Sequence, residues 1–170
     1  MKIRNAFTKL TICLLLVMIS NMVNMHKVSA HPITDCRKLV TGTYLATVSG
    51  DFGSFRSIVT FTQDGNYFAT ASNQSGVPSV QPYGNTQGSW KCIGDREITV
   101  TTLNFNYQTA TLPASIARGD YHATFDPKTE TVEVKKATLR IFNINANPLV
   151  DDAPVAGTFT FTGQRVKPGQ

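Results

Sequence analysis

Residues 55–73 read FRSIVTFTQDGNYFATASN, and this stretch decides the fold class. Two runs of alternating character flank the dipeptide Asp64-Gly65, which is the strongest short signal for a β-hairpin because glycine accepts the positive φ that such a turn demands. The last apolar run, residues 157–163, alternates Phe with Thr in the same way. Alternation of this kind is typical of a sheet with one face on a core and the other in water.

The rest of the chain after residue 30 repeats the pattern. Short runs rich in Thr, Val, Ile, Phe and Tyr are separated by Gly, Pro, Asn and Asp, and no stretch has sustained helical periodicity. The predicted strands are 42–49, 55–63, 66–73, 86–93, 96–107, 119–126, 130–142 and 155–166. Tight-turn residues at 93–96 and 126–129 indicate that neighbours pair in order. An all-β, eight-stranded antiparallel up-and-down barrel is favoured because closure removes both exposed edges, and a two-sheet β-sandwich is the alternative.

Two predicted strands change the phase of their apolar residues. In the fifth, these residues move from even to odd positions near Thr101-Thr102, and in the seventh they move between Val134 and Ala137. One extra residue at each place, in a β-bulge, would restore a single apolar face. Bulges of this kind let long strands curl hard enough for a barrel to close.

Three longer segments interrupt the meander, at 74–85, 109–118 and 143–154. Loops of this kind ring the mouth of a barrel, where binding and catalytic residues concentrate, although ordinary connectors have the same composition.

The first 30 residues have the organisation of a cleaved secretory signal peptide. A basic start precedes an apolar run over 10–19, and the small residues Val28 and Ala30 stand before His31. The run of about ten residues is half of the roughly twenty that a membrane-spanning helix needs. We therefore expect cleavage after Ala30 and secretion, to the periplasm or outside the cell, of a single domain formed by residues 31–170.

Cleavage changes the net charge. Four of the 16 basic residues (Lys2, Arg4, Lys9 and Lys27) and none of the 11 acidic ones lie within 1–30, so residues 31–170 carry +1 instead of the +5 of the whole chain. The charge then gives no reason to expect nucleic acid or an anionic membrane as a partner.

Two cysteines remain in the expected mature chain, Cys36 and Cys92. In a compartment that oxidises thiols, a small domain with an even number of cysteines usually pairs them, so we expect a disulfide between these two. Two unpaired thiols are the alternative.

Four short segments together carry a family resemblance: Gly42-Thr43-Tyr44, the hairpin at 61–65, Gly88-Ser89-Trp90-Lys91, and the closing run at 157–166. In the spacing of glycines and aromatics in these segments, the chain resembles a group of small exported bacterial proteins with lipocalin-like (calycin-like) barrels and no settled activity. Lipocalins open with Gly-x-Trp and place a basic residue of the last strand over that ring. Here Tyr44 and Arg165 stand at the matching places. The resemblance implies a binding barrel.

The aromatic content suggests what the barrel does. If the interior is hollow, the candidate residues for an apolar lining are Tyr44, Phe61, Trp90, Phe105, Tyr107, Phe159 and Phe161. The first hypothesis is accordingly a carrier of a small apolar or amphipathic molecule. The second is a solid barrel whose long loops bind another protein at the cell envelope or outside the cell, with the aromatics as packing.

A third hypothesis is copper binding. His31, as a free N-terminal residue, offers an amine and an imidazole, and His122 offers another nitrogen. Catalysis is less favoured: the serines lack a nucleophile-elbow pattern, and the adjacent carboxylates Asp151-Asp152 fall in a loop. The sequence predicts no cofactor.

Overall fold

A computed structural model of the protein describes residues 32–77 and 80–169. The predicted signal peptide and His31 lie outside these residues. Within the described ranges, no helix has both the length and the apolar character needed to cross a bilayer.

One helix precedes eight strands. Helix α1 spans Pro32–Val40, and the strands are β1 Gly42–Gly50, β2 Gly53–Phe61, β3 Asn66–Ala71, β4 Thr86–Cys92, β5 Glu97–Asn106, β6 Ser115–Asp126, β7 Thr131–Asn143 and β8 Val155–Arg165. Each strand pairs antiparallel with the next, and β8 returns to pair with β1. The predicted closed barrel is confirmed, and the sandwich alternative is wrong.

The bulge predicted in β5 is wrong. The ladder between β5 and β6 runs without interruption from Glu97 opposite Thr124 to Asn106 opposite Ser115. Strand β6 therefore begins four residues before its predicted start. Because β5 keeps its phase, Thr102 is buried inside, whereas Phe105 lies outside with 58% of its surface exposed.

The bulge predicted in β7 is confirmed. The register of β7 against β8 shifts by one residue between Val134 and Ala137, and its pairing with β6 shifts at the same place. The two residues in between, Lys135 and Lys136, are both exposed. Ala137 is thereby returned to the inside of the barrel, where it is fully buried.

The two ends of the barrel differ. Because consecutive strands alternate in direction, the short turns at 62–65, 93–96 and 127–130 share one end, which also receives helix α1. We call this the closed end. The longer connections at 72–85, 107–114 and 144–154 share the other, the loop end, as the sequence led us to expect of a barrel mouth.

Helix α1 is fastened to the closed end by several contacts. Its Cys36 is fully buried, and the sulfur atoms of Cys36 and Cys92 lie 2.05 Å apart, within bonding distance of a disulfide. The Tyr44 hydroxyl donates to the carbonyl of Val40 at 3.0 Å. The guanidinium of Arg165 lies 4.9 Å from the centroid of the Tyr44 ring and donates to the carbonyls at the end of the helix.

The closed half of the barrel is filled by aromatic rings. Phe61 is fully buried and packs edge-to-face against Tyr44, Tyr67, Trp90 and Phe125, with centroids 5.4–6.0 Å apart. Edge-to-face pairs add to the stabilisation that burial of the rings already provides. This half therefore holds a packed core.

Candidate functional site in the loop end of the barrel

The loop half of the barrel contains a cavity of about 320 Å³. All eight strands contribute to its wall, and the connections from β1 to β2 and from β3 to β4 contribute at its rim. The cavity exists because inward-facing residues in this half are small or polar on β3 to β6, so that the rings of the opposite strands have no partner to fill the space.

One wall of the cavity is apolar. It is formed by β7, β8, β1 and β2 with Leu139, Ile141, Phe159, Phe161, Val48, Phe55 and Val59. Phe52, from the turn between β1 and β2, packs against Phe55 and Phe159 with centroids 5.7 and 6.3 Å apart. The Phe52 ring therefore continues the apolar wall to the turn between β1 and β2.

The opposite wall is polar. It comes from the loop after β3 and from β4 and β5, with Asn73, Gln81, Tyr83, Thr86, Thr102, Asn104 and Asn106. Several of these groups bond to one another: the Tyr83 hydroxyl donates to Asn73 Oδ1, and the Asn104 amide donates to Asn106 Oδ1 at 3.2 Å. An amide group has two donors and one acceptor oxygen. Gln81 uses its donors on the carbonyls of Tyr107 and Pro113, so the donor capacity for a guest lies with the asparagines of this wall.

Two tyrosines form the floor, where the cavity meets the packed half. Tyr67 and Tyr121 are 6% and 5% exposed, and their rings lie 6.2 Å apart. The Tyr121 hydroxyl is buried without a hydrogen bond of regular geometry, and the neighbouring Tyr67 phenol is its weak hydrogen-bond partner. Burial raises the pKa of Tyr67 to about 12 and that of Tyr121 well above 10.

The cavity holds no full charge. None of the described residues that line it is Asp, Glu, His, Lys or Arg. The loops of this end, at 51–52, 72–85, 107–114 and 144–154, contain Asp51, Asp151 and Asp152 and no Lys or Arg. Asp152 lies 3.7 Å from Arg140, and Arg118 donates to the carbonyl of Pro148, so cations of β6 and β7 stand beside the loop carboxylates. The described lining of the interior is uncharged.

The seven aromatics proposed from sequence fall into three groups. Phe159 and Phe161 line the cavity. Tyr44, Phe61 and Trp90 pack in the core of the closed half instead.

Phe105 and Tyr107 require a correction, because they lie on the outside of the barrel with 58% and 54% of their surface exposed. With no bulge in β5, odd-numbered residues face outward there. Phe105 borders an outer groove beside Pro148 and Leu149 of the loop between β7 and β8.

Sequence reasoning missed the polar wall. Thr102, Asn104 and Asn106 continue the even-numbered positions of the buried Ile98 and Val100. The continuation of even-numbered positions was the available signal for the inner face of β5. The apolar residues at odd positions led the prediction to the other face. The sequence also contained no sign that Tyr67 and Tyr121, on separate strands, form a pair.

Of the two proposed copper ligands, the structure describes His122 alone. His122 is exposed on the outer face of β6, between the buried Tyr121 and Ala123. No group of three or more His, Cys, Asp or Glu residues within 32–77 and 80–169 is arranged to hold a metal ion. His31 lies outside those ranges, so its pairing with His122 stays a prediction.

Comparisons with known proteins support the fold. The chain is similar to the solved structure of EF1p2_mFAP2b bound to DFHBI, with a TM-score of 0.53 and 13% sequence identity over 79% of this chain and 99% of that one. At this identity the similarity shows the fold alone. No protein-family model and no curated protein matches the chain. Fold and cavity together define this protein as an eight-stranded antiparallel β-barrel with a hollow loop end.

Proposed function

We propose that residues 31–170 form an exported, lipocalin-like barrel that binds one small amphipathic molecule in the cavity of the loop end. The observation that carries this proposal is the cavity itself, with an apolar wall facing a polar, uncharged one. Its volume of about 320 Å³ falls at the lower end of the roughly 300–1,000 Å³ of small-molecule sites. A guest with one apolar side and a few hydrogen-bonding groups matches both walls.

Three further features support the proposal. The similar barrel EF1p2_mFAP2b holds DFHBI, which shows that a barrel of this fold accommodates a ligand. Arg165 covers Tyr44 at the closed end, as the lipocalin resemblance implied. The N-terminal signal pattern and the paired Cys36 and Cys92 fit a protein that folds in an oxidising compartment.

The solid-barrel alternative is less consistent with this geometry. A barrel used only as a rigid support for its loops gains stability by filling its interior, because unfilled space forfeits packing contacts. Here one half is filled with aromatic rings and the other is hollow.

The proposal is tested by binding of prodan, an uncharged naphthyl ketone dye whose emission shifts in an apolar environment. The matched variants are Ala71→Phe, which places a ring at the cavity wall, and Thr70→Phe, which places the same ring on the exposed outer face of the same strand. Thermal unfolding of both variants shows whether they remain folded.

We expect the wild type to bind one prodan molecule, Ala71→Phe to weaken binding about tenfold or more, and Thr70→Phe to change it less than about twofold. Native mass spectrometry of protein from an exporting host should also show a small-molecule adduct that is lost on denaturation. Equal effects of the two variants, or no saturable binding by the wild type, would contradict the proposal.

A further inference from the structure

The floor of the cavity holds a buried hydroxyl that the fold satisfies poorly. Tyr121 is 5% exposed, and its hydroxyl makes no hydrogen bond of regular geometry, only a weak one to the neighbouring Tyr67 phenol. Most buried polar groups in native proteins are hydrogen-bonded, so each exception needs an explanation such as a functional role or a missing partner. The Tyr121 ring also packs against Phe159 and Phe161, with centroids 6.2 and 5.5 Å apart, and neither of these rings has an acceptor oxygen.

Tyr67 stands between this hydroxyl and the rest of the cavity wall. Its ring packs against Tyr121 at 6.2 Å and against Phe61 of the filled half at 5.4 Å, so the ring is held on both sides. Each phenol has one proton to donate and lone pairs to accept. If Tyr121 donates to the Tyr67 oxygen, the Tyr67 proton is left to point into the cavity.

The residues that line the cavity determine which charge the ligand can carry. No Lys, Arg or His is among the described lining residues, so an anionic guest would lose its hydration without gaining a counter-ion. No Asp or Glu lines the cavity either, so a cation is equally unsupported. Because burial raises the pKa of Tyr67 to about 12, its phenol is a neutral donor at ordinary pH.

We propose that the ligand is an uncharged, largely apolar molecule bearing a carbonyl, ether or hydroxyl oxygen, which enters oxygen first and accepts a hydrogen bond from Tyr67, while Tyr121 donates to Tyr67 and orients it. This inference rests on the proposed binding function and names the class of ligand. The apolar body of the guest lies against Phe159 and Leu139 of the apolar wall. Tyr67 touches the ligand, and Tyr121 is a positioning residue.

Three probes of nearly the same shape test the proposal by equilibrium dialysis: 2-acetylnaphthalene, with a ketone oxygen; 2-isopropylnaphthalene, without a polar atom; and 2-naphthoate, with a negative charge. The variants are Tyr67→Phe and Tyr121→Phe, which remove one hydroxyl each and keep the ring. Tyr44→Phe is the control, since it removes a buried hydroxyl of the closed end that does not line the cavity.

We expect Tyr67→Phe to weaken binding of the ketone about three- to tenfold, the range of one neutral hydrogen bond, and to leave binding of the hydrocarbon unchanged or tighter. Tyr121→Phe should weaken ketone binding by a smaller factor and should change the stability of the free protein little, because the hydroxyl it removes bonds only weakly there. Tyr44→Phe should leave the affinities for both probes unchanged. In the wild type, naphthoate should bind the weakest of the three.

The failures are distinguishable. Equal responses of ketone and hydrocarbon to Tyr67→Phe would overturn the hydrogen bond and leave the binding function standing. Tighter binding of naphthoate than of the ketone would overturn the uncharged class. If neither the three probes nor prodan binds, the binding function itself fails and this inference falls with it.

Discussion

Reduction of the bond between Cys36 and Cys92 is the perturbation whose effect on stability follows most directly from the structure. The bond closes a segment with a sequence separation of 56 and holds helix α1 to the end of β4. In the chain-entropy model, opening a loop of that length lowers the free energy of unfolding by about 4 kcal/mol. Because domains of this size unfold with roughly 5–15 kcal/mol, this loss is between about a quarter and four-fifths of the whole stability. The midpoint of thermal unfolding should fall by about 12–20 °C.

The assay is urea unfolding at equilibrium, with and without a phosphine reductant, followed by the fluorescence of Trp90 and by circular dichroism. Trp90 is the chain's one tryptophan and stands two residues before Cys92, so it reports directly on this part of the barrel. Mass spectrometry of the untreated protein checks for the two hydrogens lost in the bond. The reasoning would be refuted by a difference of less than about 1 kcal/mol between the two states, or by two free thiols in protein recovered from an exporting host.

Three further predictions concern the closed end, the cavity wall and the buried phenols. Replacing Arg165 by Met should lower the free energy of unfolding by about 2–4 kcal/mol in urea titrations, because the guanidinium loses its contact with the Tyr44 ring and its bonds to the helix carbonyls. Phe159→Ala should weaken prodan binding several-fold, whereas Phe105→Ala, on the outer wall, should leave it unchanged in the same titration. Stability should fall as pH rises above about 10 and through about 12, since Tyr67 has a pKa near 12 in the folded state and near 10 when unfolded; the slope is about 1.4 kcal/mol per pH unit for each such phenol.

Each of these has a control. Arg165→Lys keeps the positive charge but lacks the planar guanidinium, so it should recover less than half of the free energy of unfolding that Arg165→Met loses. Full recovery would contradict the role assigned to the guanidinium. Equal effects of Phe159→Ala and Phe105→Ala would mean that prodan does not bind inside the barrel. Above about pH 10, Tyr67→Phe should reduce the slope of the free energy of unfolding against pH by the contribution of one proton. An unchanged slope would show that this phenol titrates normally.

The architecture was predictable because its signals are local and redundant. Asp64-Gly65 marks a hairpin by the conformation that glycine permits, and the alternation at 157–163 marks an inner and an outer face. The bulge in β7 was also predictable, because the apolar residues change phase between Val134 and Ala137. In the filled half of the barrel the interior is apolar, so the hydrophobic pattern predicts correctly which side chains face inward.

The cavity was not predictable by the same means, for a physical reason. Hydrophobic periodicity identifies the inner face only where the interior is apolar. Along the end of β5 the inner positions are Asn104 and Asn106, while Leu103 and Phe105 face outward beside the loop between β7 and β8. The pattern therefore assigned the wrong face at the place where the barrel is hollow. The pairing of Tyr67 with Tyr121 depends on strands far apart in sequence and carries no local signal.

The separation of the two ends has a consequence for how such a protein tolerates change. The helix, the cysteine bond, the Arg165 contact and the aromatic core all lie in the closed half, and the cavity and its long loops lie in the other. Substitutions at the mouth consequently change which molecule the cavity binds and leave the stabilising contacts of the closed half intact. Natural divergence, or the grafting of new loops by design, can therefore change the binding end of this barrel while the stabilising end stays the same.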